Sequence, residues 1–312
     1  MITTSYYYLF GQLTLLLFFP ISFYAQSVDT YETYFLLKRN LILLQASVNG
    51  ETGYFILDTG IPELVLNIRE EKSKEYINLY SIEGKQLKGY TRKVQLSIGP
   101  WTLKSKVSNV IDLSEMEQRL EIPIMGLIGI DCLKDFEIYL NYQNWTIRFF
   151  KLDKKGNKKD YAYKDRPIDT IPFNYINYLP YVKATLNGQT YYLGIDSGAA
   201  VNIFSERKKT IVSNSTFTEE GFKTIGIKKG SNSEKRTLFR VAFQVGDFTT
   251  LPMLTMFKDL RAFNNNYVGR RNIDGLLGYE FLFQQEIAIN FKKKKLYLWP
   301  RKGHLKKDLV GK

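Results

Sequence analysis

The sequence has a single cysteine, Cys132, and a single histidine, His304, among 312 residues. One cysteine cannot form an intramolecular disulfide, so the fold must rely on packing. One histidine in a basic tail argues against Ser-His-Asp catalysis, a Cys-His nucleophile and histidine-rich metal sites. We therefore expect Cys132 to be a small buried apolar residue, and we expect no metal and no cofactor.

Charged side chains are absent from residues 1–25, which include the apolar run LTLLLFFPISFYA. Gly11, Gln12 and Pro20 interrupt this segment, whereas a spanning helix needs about 20 consecutive apolar residues. The small residue before Gln26 suits cleavage by a signal peptidase. We expect a cleaved signal peptide and an exported protein, either periplasmic, in the cell envelope or secreted. An uncleaved anchor is the alternative.

The net charge of +13 comes from an excess of lysine and arginine. Its densest clusters are at 154–159, 292–295 and 301–307. Such clusters could contact nucleic acid or an anionic surface. No motif of a nucleic-acid reader accompanies them, so we expect solvated lysines and no nucleic-acid partner. Membrane contact is expected only through an uncleaved signal or this basic surface.

The chain contains an internal repeat. Residues 41–67 align without a gap on 179–205 at an offset of 138, with eight of 27 positions identical. Further on, 94–99 matches 241–246, and 126–150 aligns on 275–299 at an offset of 149. Because the same segments recur in the same order, we interpret the chain as a duplicated unit.

Long helical periodicity is nearly absent, and short helices are expected only near 114–120 and 278–284. The remaining sequence reads as many short strands separated by Gly, Asn and Pro, including an Asn-Gly hairpin turn in each copy. The class is therefore all-β. We expect lobes at 30–152 and 165–301, a charged linker at 153–164 and a basic tail at 302–312.

Each copy carries an aspartate directly after an apolar strand. Asp58 is followed by Thr59 and Gly60, and Asp196 by Ser197 and Gly198. A buried carboxylate is costly unless it is hydrogen-bonded or used. A pseudo-twofold arrangement would bring the two carboxylates together around one proton, lowering one pKa and raising the other. The pair would then supply an acid and a base.

The segments FILDTG, MGLIGIDCL, LGIDSGA and DGLLGYEFL resemble the aspartic peptidases, most closely the retropepsin-like group, in one pepsin-like chain of two β-barrel lobes. The resemblance covers most of the chain after residue 25. It implies an endopeptidase in which Asp58 and Asp196 are catalytic and activate a water. It also implies a monomer that binds an extended peptide or protein substrate.

The resemblance assigns supporting roles to neighbouring residues. Thr59 and Ser197 would brace the two loops against each other, with Gly60 and Gly198 beside them. The later glycine segments would pack next to the loops; their glycines are Gly126, Gly129, Gly275 and Gly278. Tyr90 is the candidate flap residue.

The chain departs from the family after the first triplet, where Ile61 and Pro62 follow Gly60. Two other functions therefore stay open. One is a catalytically inactive peptide- or protein-binding module of the cell envelope, whose aspartates only cap turns. The other is an adhesion or nucleic-acid-binding protein that works through the basic clusters.

Overall fold

The computed structural model describes residues 29–68, 77–80, 86–159, 166–212, 216–218, 237–266 and 272–300. The expected signal peptide, the basic tail and the second part of the expected linker, 160–164, lie outside these residues, as does residue 165 at the expected start of the second lobe.

The described residues of the first half form strands and two short helices. Its strands are β1 (Thr30–Tyr34), β2 (Leu36–Lys38), β3 (Leu41–Val48), β4 (Glu51–Leu57), β5 (Leu64–Asn67), β6 (Ile77–Tyr80), β7 (Gln86–Ile98), β8 (Trp101–Ile111), β9 (Gly126–Ile128), β10 (Phe136–Asn141) and β11 (Thr146–Lys151). Its helices are α1 (Ser114–Leu120) and α2 (Ile130–Leu133).

The second half repeats this pattern. Its strands are β12 (Asp169–Pro172), β13 (Asn174–Ile176), β14 (Leu179–Leu186), β15 (Gln189–Ile195), β16 (Asn202–Ser205), β17 (Thr216–Thr218), β18 (Thr237–Val241), β19 (Gln244–Val245), β20 (Phe248–Thr249), β21 (Met253–Lys258), β22 (Gly275–Leu277), β23 (Glu286–Asn290) and β24 (Lys295–Trp299). Its helices are α3 (Arg261–Asn266), α4 (Tyr279–Leu282) and a 3₁₀ helix at Glu206–Val212.

The all-β class predicted from the sequence is confirmed, because curled sheets make up most of the described structure. The two helices expected near 114–120 and 278–284 are present as α1 and α4. Among the described residues, no helix has both the length and the apolarity needed to cross a membrane.

The predicted Asn-Gly hairpins are also confirmed. Asn49 and Gly50 join β3 to β4, and both have positive φ, at 51° and 92°. Asn187 and Gly188 join β14 to β15 in the same way, with φ of 50° and 75°. A two-residue turn with both φ angles positive matches the right-handed twist of the flanking strands, and it fixes the register of each hairpin. That register places the end of β4 and of β15 at the same point of each half.

The two halves share one sheet topology. In the first half β4 pairs in parallel with β9, β9 pairs antiparallel with β5, and β5 pairs in parallel with β8. In the second half β15, β22, β16 and β21 repeat these pairings in the same order. The first sheet curls until β7 pairs with β3, and in the second β19 pairs with β14. The sequence duplication is thus a structural duplication.

A third sheet joins the halves. Its strand order is β1-β11-β10-β23-β24-β12, with three strands from each half. The central pair, β10 and β23, is antiparallel, and Glu137 lies opposite Asn290. This sheet and the cores packed on it make the two halves one continuous structure, since the largest hydrophobic cluster contains residues of both.

The central pair of strands buries reciprocal polar contacts between the halves. The side-chain amide of Asn290 donates to Glu137 Oε2 at 2.9 Å and to the Gly156 carbonyl at 3.0 Å, while Lys158 forms an ion pair with Glu137. In the mirrored position, Glu286 accepts from Asn141 at 3.4 Å and also from Tyr139. Both glutamates and both asparagines are buried.

These reciprocal contacts favour one register of β10 on β23. A shift by one residue would leave two buried carboxylates without their amide partners, at a large desolvation cost. Lys158 and Gly156 belong to the described part of the expected linker, 153–159, which forms a turn against this sheet.

We expect Asn290→Ala to lower the free energy of unfolding by about 2–4 kcal/mol, because Glu137 and the Gly156 carbonyl lose a buried donor. Urea unfolding measures this change. Asn144→Ala, at an exposed turn after β10, is the matched control and should change stability by less than about 0.5 kcal/mol. Equal effects at the two positions would contradict the assigned role of the buried pair.

Candidate active site

The strands β4 and β15 carry the two aspartates to the boundary between the halves. The apolar ends of both strands are buried, and each aspartate follows directly. The Asp58 amide donates to the Ile128 carbonyl of β9, and the Asp196 amide to the Leu277 carbonyl of β22. The side chains of Asp58 and Asp196 are only 8% and 7% exposed. Both carboxyl groups are therefore held at equivalent points in largely dry surroundings.

The residues after the aspartates hydrogen-bond to each other across the boundary. The Thr59 amide donates to Ser197 Oγ at 3.1 Å, and the Ser197 amide donates to Thr59 Oγ1 at 3.0 Å. Each hydroxyl also donates across the boundary, Thr59 to the Ile195 carbonyl at 2.9 Å and Ser197 to the Leu57 carbonyl at 2.8 Å. These four bonds tie the end of each aspartate-bearing strand to the opposite loop.

The two carboxyl groups lie beside each other at this boundary, close enough to influence each other's pKa. Each also accepts the amide of the glycine two residues on: Gly60 donates to Asp58 Oδ1 at 2.8 Å and Gly198 to Asp196 Oδ1 at 2.9 Å. A Cβ at Gly60 would lie 2.5 Å from Asp196 Oδ1, and a Cβ at Gly198 would lie 2.5 Å from Asp58 Oδ2. Only glycine leaves room for the opposite carboxyl group at these two positions.

The later glycine segments lie beside the loops. Gly126 and Gly275 begin β9 and β22, which run between the two strands that flank each loop. A Cβ at Gly126 would overlap the Val65 carbonyl, and a Cβ at Gly275 would overlap the Ile203 carbonyl.

Gly129 and Gly278 precede the helices α2 and α4. The first residue of each helix donates to the loop: the Ile130 amide to the Ile61 carbonyl at 3.1 Å, and the Tyr279 amide to the Ala199 carbonyl at 2.9 Å. All four glycines thus lie where backbone segments support the two loops.

Burial raises the pKa of both aspartates above the ordinary value of 3.8. The pKa of Asp196 is raised well above it, first by burial and then by the negative charge of Asp58. Two adjacent carboxyl groups cannot both ionise cheaply, so they hold one proton between them over a range of pH. In that state one group can accept a proton while the other donates one.

Ile61 and Pro62 are accommodated by the first loop. The Pro62 carbonyl accepts the Asp131 amide at 2.8 Å, next to the bond between Ile130 and Ile61. The Ile61 side chain is half-buried against an apolar cluster of the first half. The equivalent residue of the second half, Ala199, is smaller and 8% exposed. The side chain that follows the first Asp-Thr-Gly triplet is therefore bulkier than the one that follows the second triplet, Asp-Ser-Gly.

Tyr90 lies in β7, opposite Val110 of β8, and its side chain is 8% exposed within the large core. The turn between β6 and β7, residues 81–85, lies outside the described residues. Tyr90 is thus part of the hydrophobic core, and its role as a flap residue stays a prediction.

Neither a reactive thiol nor a metal-binding cluster accompanies the pair among the described residues. Cys132 is buried, and burial raises the pKa of its thiol to about 11, which disfavours the thiolate. Within the part of the chain that the structure describes, no group of three or more His, Cys, Asp or Glu could hold a metal ion.

Two asparagines that the sequence did not single out contact the loops. Asn202 accepts the Gly278 amide at 2.8 Å, and Asn40 donates to the Ala200 carbonyl at 3.0 Å. Neither position has an equivalent asparagine in the other copy, because Leu64 and Tyr178 stand there. The repeat therefore gave no signal for them.

No protein-family model and no curated protein matches this chain.

We expect Thr59→Val to lower the free energy of unfolding by about 2–4 kcal/mol. The change keeps the shape of the side chain but leaves the Ser197 amide and the Ile195 carbonyl without their partner. Thermal or urea unfolding measures it. Thr52→Val, on the exposed part of β4, the strand that leads to this loop, is the control. If both variants were equally stable, the bonds between the loops would not hold the halves together.

We expect Asp196→Asn to stabilise the protein at neutral pH and to have little effect below about pH 4. A group whose pKa is raised by folding is protonated in both states at low pH, and the folded state loses stability as the pH rises above the unfolded value. Asparagine does not ionise, so the Asp196→Asn variant does not lose this stability as the pH rises. Thermal unfolding from pH 3 to 8 measures the difference between variant and parent. A constant difference across this range would contradict a raised pKa.

Proposed function

We propose that the chain is an aspartic-type endopeptidase that hydrolyses peptide bonds. The observation that carries the proposal is the close approach of Asp58 and Asp196, two buried carboxyl groups that lie beside each other where the loops of the duplicated halves are hydrogen-bonded together. A structural turn needs only one such aspartate, and it does not need the two side chains to touch.

The pair can carry out acid–base catalysis without a covalent intermediate. In the singly protonated state, the ionised carboxylate takes a proton from a water molecule as its oxygen attacks the peptide carbonyl carbon. The protonated carboxyl gives its proton to the carbonyl oxygen, forming a neutral tetrahedral diol. When the C–N bond breaks, one hydroxyl of the diol gives its proton to the ionised carboxylate, and the protonated carboxyl gives its proton to the departing nitrogen. The pair is then ready for another water.

A pepsin-like fold of two retropepsin-like lobes is the architecture that best accommodates this chemistry. The repeated order of parallel and antiparallel strands in the two halves supports it, as do the shared sheet and the placement of DTG and DSG on equivalent loops. Since one chain supplies both aspartates, the active unit in this proposal is a monomer. It needs no cofactor.

The proposed substrate is a peptide or protein segment in extended conformation. Two β-rich halves that meet at the carboxyl pair offer strand edges to a third strand, which would gain backbone hydrogen bonds from both sides. Alternate side chains of that strand would then enter apolar pockets. We also propose that the enzyme is exported, on the basis of the uncharged apolar segment at 1–25.

The second candidate is an inactive peptide-binding module of the cell envelope. The observation that favours it is the bulk of Ile61, which stands beside Gly60 where the second half has Ala199. If this side chain blocked the substrate, the two halves would still hold a peptide but would not cleave it.

We expect Asp58→Asn and Asp196→Asn each to lower peptide hydrolysis by at least about a hundredfold, because either change removes an obligatory acid or base. A digest of a mixed peptide library, read by mass spectrometry, measures the loss and the cleavage preference. Asp247→Asn, at an exposed turn, is the matched control and should keep full activity.

Circular dichroism should show that both variants keep the fold. Chelators and thiol reagents should leave the parent's activity unchanged. Activity that survived in either aspartate variant, or that vanished with a chelator, would refute the proposed mechanism. A folded parent that cleaved nothing at any pH would favour the binding module.

The rate of hydrolysis should follow a bell-shaped dependence on pH, since only the singly protonated pair is active. Because burial raises the pKa of both carboxyl groups, the limb on the alkaline side should lie well above the range of ordinary carboxylates. We expect an optimum at weakly acidic to near-neutral pH. Initial rates from pH 3 to 8 measure it, and a rate that rose steadily to pH 8 would contradict a shared proton.

A further inference from the structure

Asn40 occupies an unusual turn near the second aspartate loop. The strands β2 and β3 are joined by only Arg39 and Asn40, because Lys38 pairs with Leu41. Both turn residues have positive φ, at 50° and 65°. This left-handed region suits glycine best and is tolerated by asparagine.

Glycine is the residue found in this position of the two comparable hairpins. Gly50 and Gly188 are the second residues of the Asn-Gly turns in the two copies. For the turn alone, glycine at position 40 would therefore be at least as favourable as asparagine. The presence of an asparagine at position 40 therefore needs an explanation other than the turn.

The side chain of Asn40 reaches across the boundary between the halves. Its amide nitrogen donates to the carbonyl of Ala200 at 3.0 Å, in a part-buried position. Ala200 lies four residues after Asp196, at the end of the loop that carries the second carboxyl group. The Ala200 side chain also packs on an apolar cluster of the first half that includes Leu41. Two independent contacts thus fix the end of this loop on the opposite half.

The first aspartate loop is supported differently. Pro62 is the equivalent of Ala200, and its carbonyl accepts the Asp131 amide from within its own half. The equivalent of Asn40 is Tyr178, which stands in the turn between β13 and β14. The second copy therefore has no asparagine at the position that contacts Ala200 in the first.

We propose that Asn40 is a positioning residue that holds the Asp196 loop from the opposite half and so sets how the two carboxyl groups meet. Its effect on catalysis rests on the proposed peptidase function, whereas its effect on the loop does not. Asn40 touches neither the reacting atoms nor the carboxyl groups in this role; it acts through Ala200.

The test compares Asn40→Gly and Asn40→Asp with Arg39→Gly in the full chain. Asn40→Gly keeps the turn and removes the amide, and Asn40→Asp keeps the size and the turn but offers no N–H donor. Arg39→Gly relaxes the neighbouring turn residue, removes only an exposed ion pair with Glu121 and leaves the contact with Ala200 in place.

The first measurement is amide hydrogen exchange at Ser197 and Gly198, whose amides are hydrogen-bonded within the pair of loops. Both Asn40 variants should lower protection there by about threefold to tenfold, and Arg39→Gly should not. Thermal unfolding of Asn40→Gly should stay close to that of Arg39→Gly, since the turn itself is preserved.

The second measurement is peptide hydrolysis. Both Asn40 variants should lower kcat by about threefold to tenfold with KM changed less than about twofold, because the misplaced carboxyl group affects the transition state more than binding. Unchanged exchange at Ser197 and Gly198 in both Asn40 variants would overturn the proposal. If the parent cleaved no peptide, the peptidase function would fall, and hydrogen exchange alone would decide the role of Asn40.

Discussion

The reciprocal hydrogen bonds between Thr59 and Ser197 are the interaction on which the candidate site depends. Each hydroxyl accepts a hydrogen bond from an amide of the opposite loop and donates one to a carbonyl of the strand that leads to that loop. Without the other half, these amides and carbonyls would lose their hydrogen-bond partners. Buried polar groups left unpaired are costly, which makes the joined arrangement strongly preferred. The contact between Asp58 and Asp196 follows directly, because each carboxyl group is one residue away from these bonds.

The close approach of two buried carboxyl groups lowers the stability of the folded protein. Contacts elsewhere, above all in the central sheet, offset this cost. Burial raises the pKa of both groups, and the negative charge of Asp58 raises that of Asp196 further, so the folded state is penalised whenever both are ionised. The central sheet holds the halves in one register through the buried contacts of Glu137 with Asn290 and of Glu286 with Asn141. A strained or charged site persists only when its surroundings determine its geometry in this way.

The sequence predicted the features that the repeat and local chemistry specify. Strands leading to each aspartate, the Asn-Gly hairpins and the short helices α1 and α4 were all foreseen, because each depends on neighbouring residues. The sheet shared by the halves was not, because the pairing of β10 with β23 joins strands about 150 residues apart. Asn40 was missed for a related reason: its partner Ala200 is 160 residues away, and the other copy has Tyr178 instead.

The central claim is that Asp58 and Asp196 share one proton. Carboxyl carbon shifts of these two residues, followed by NMR from pH 2 to 9 and assigned with the two Asn variants, test it most directly. We predict two coupled steps that both residues report, with one step well above the ordinary pKa of 3.8. Two independent titrations near that ordinary value, each unaffected by removal of the other aspartate, would contradict the claim.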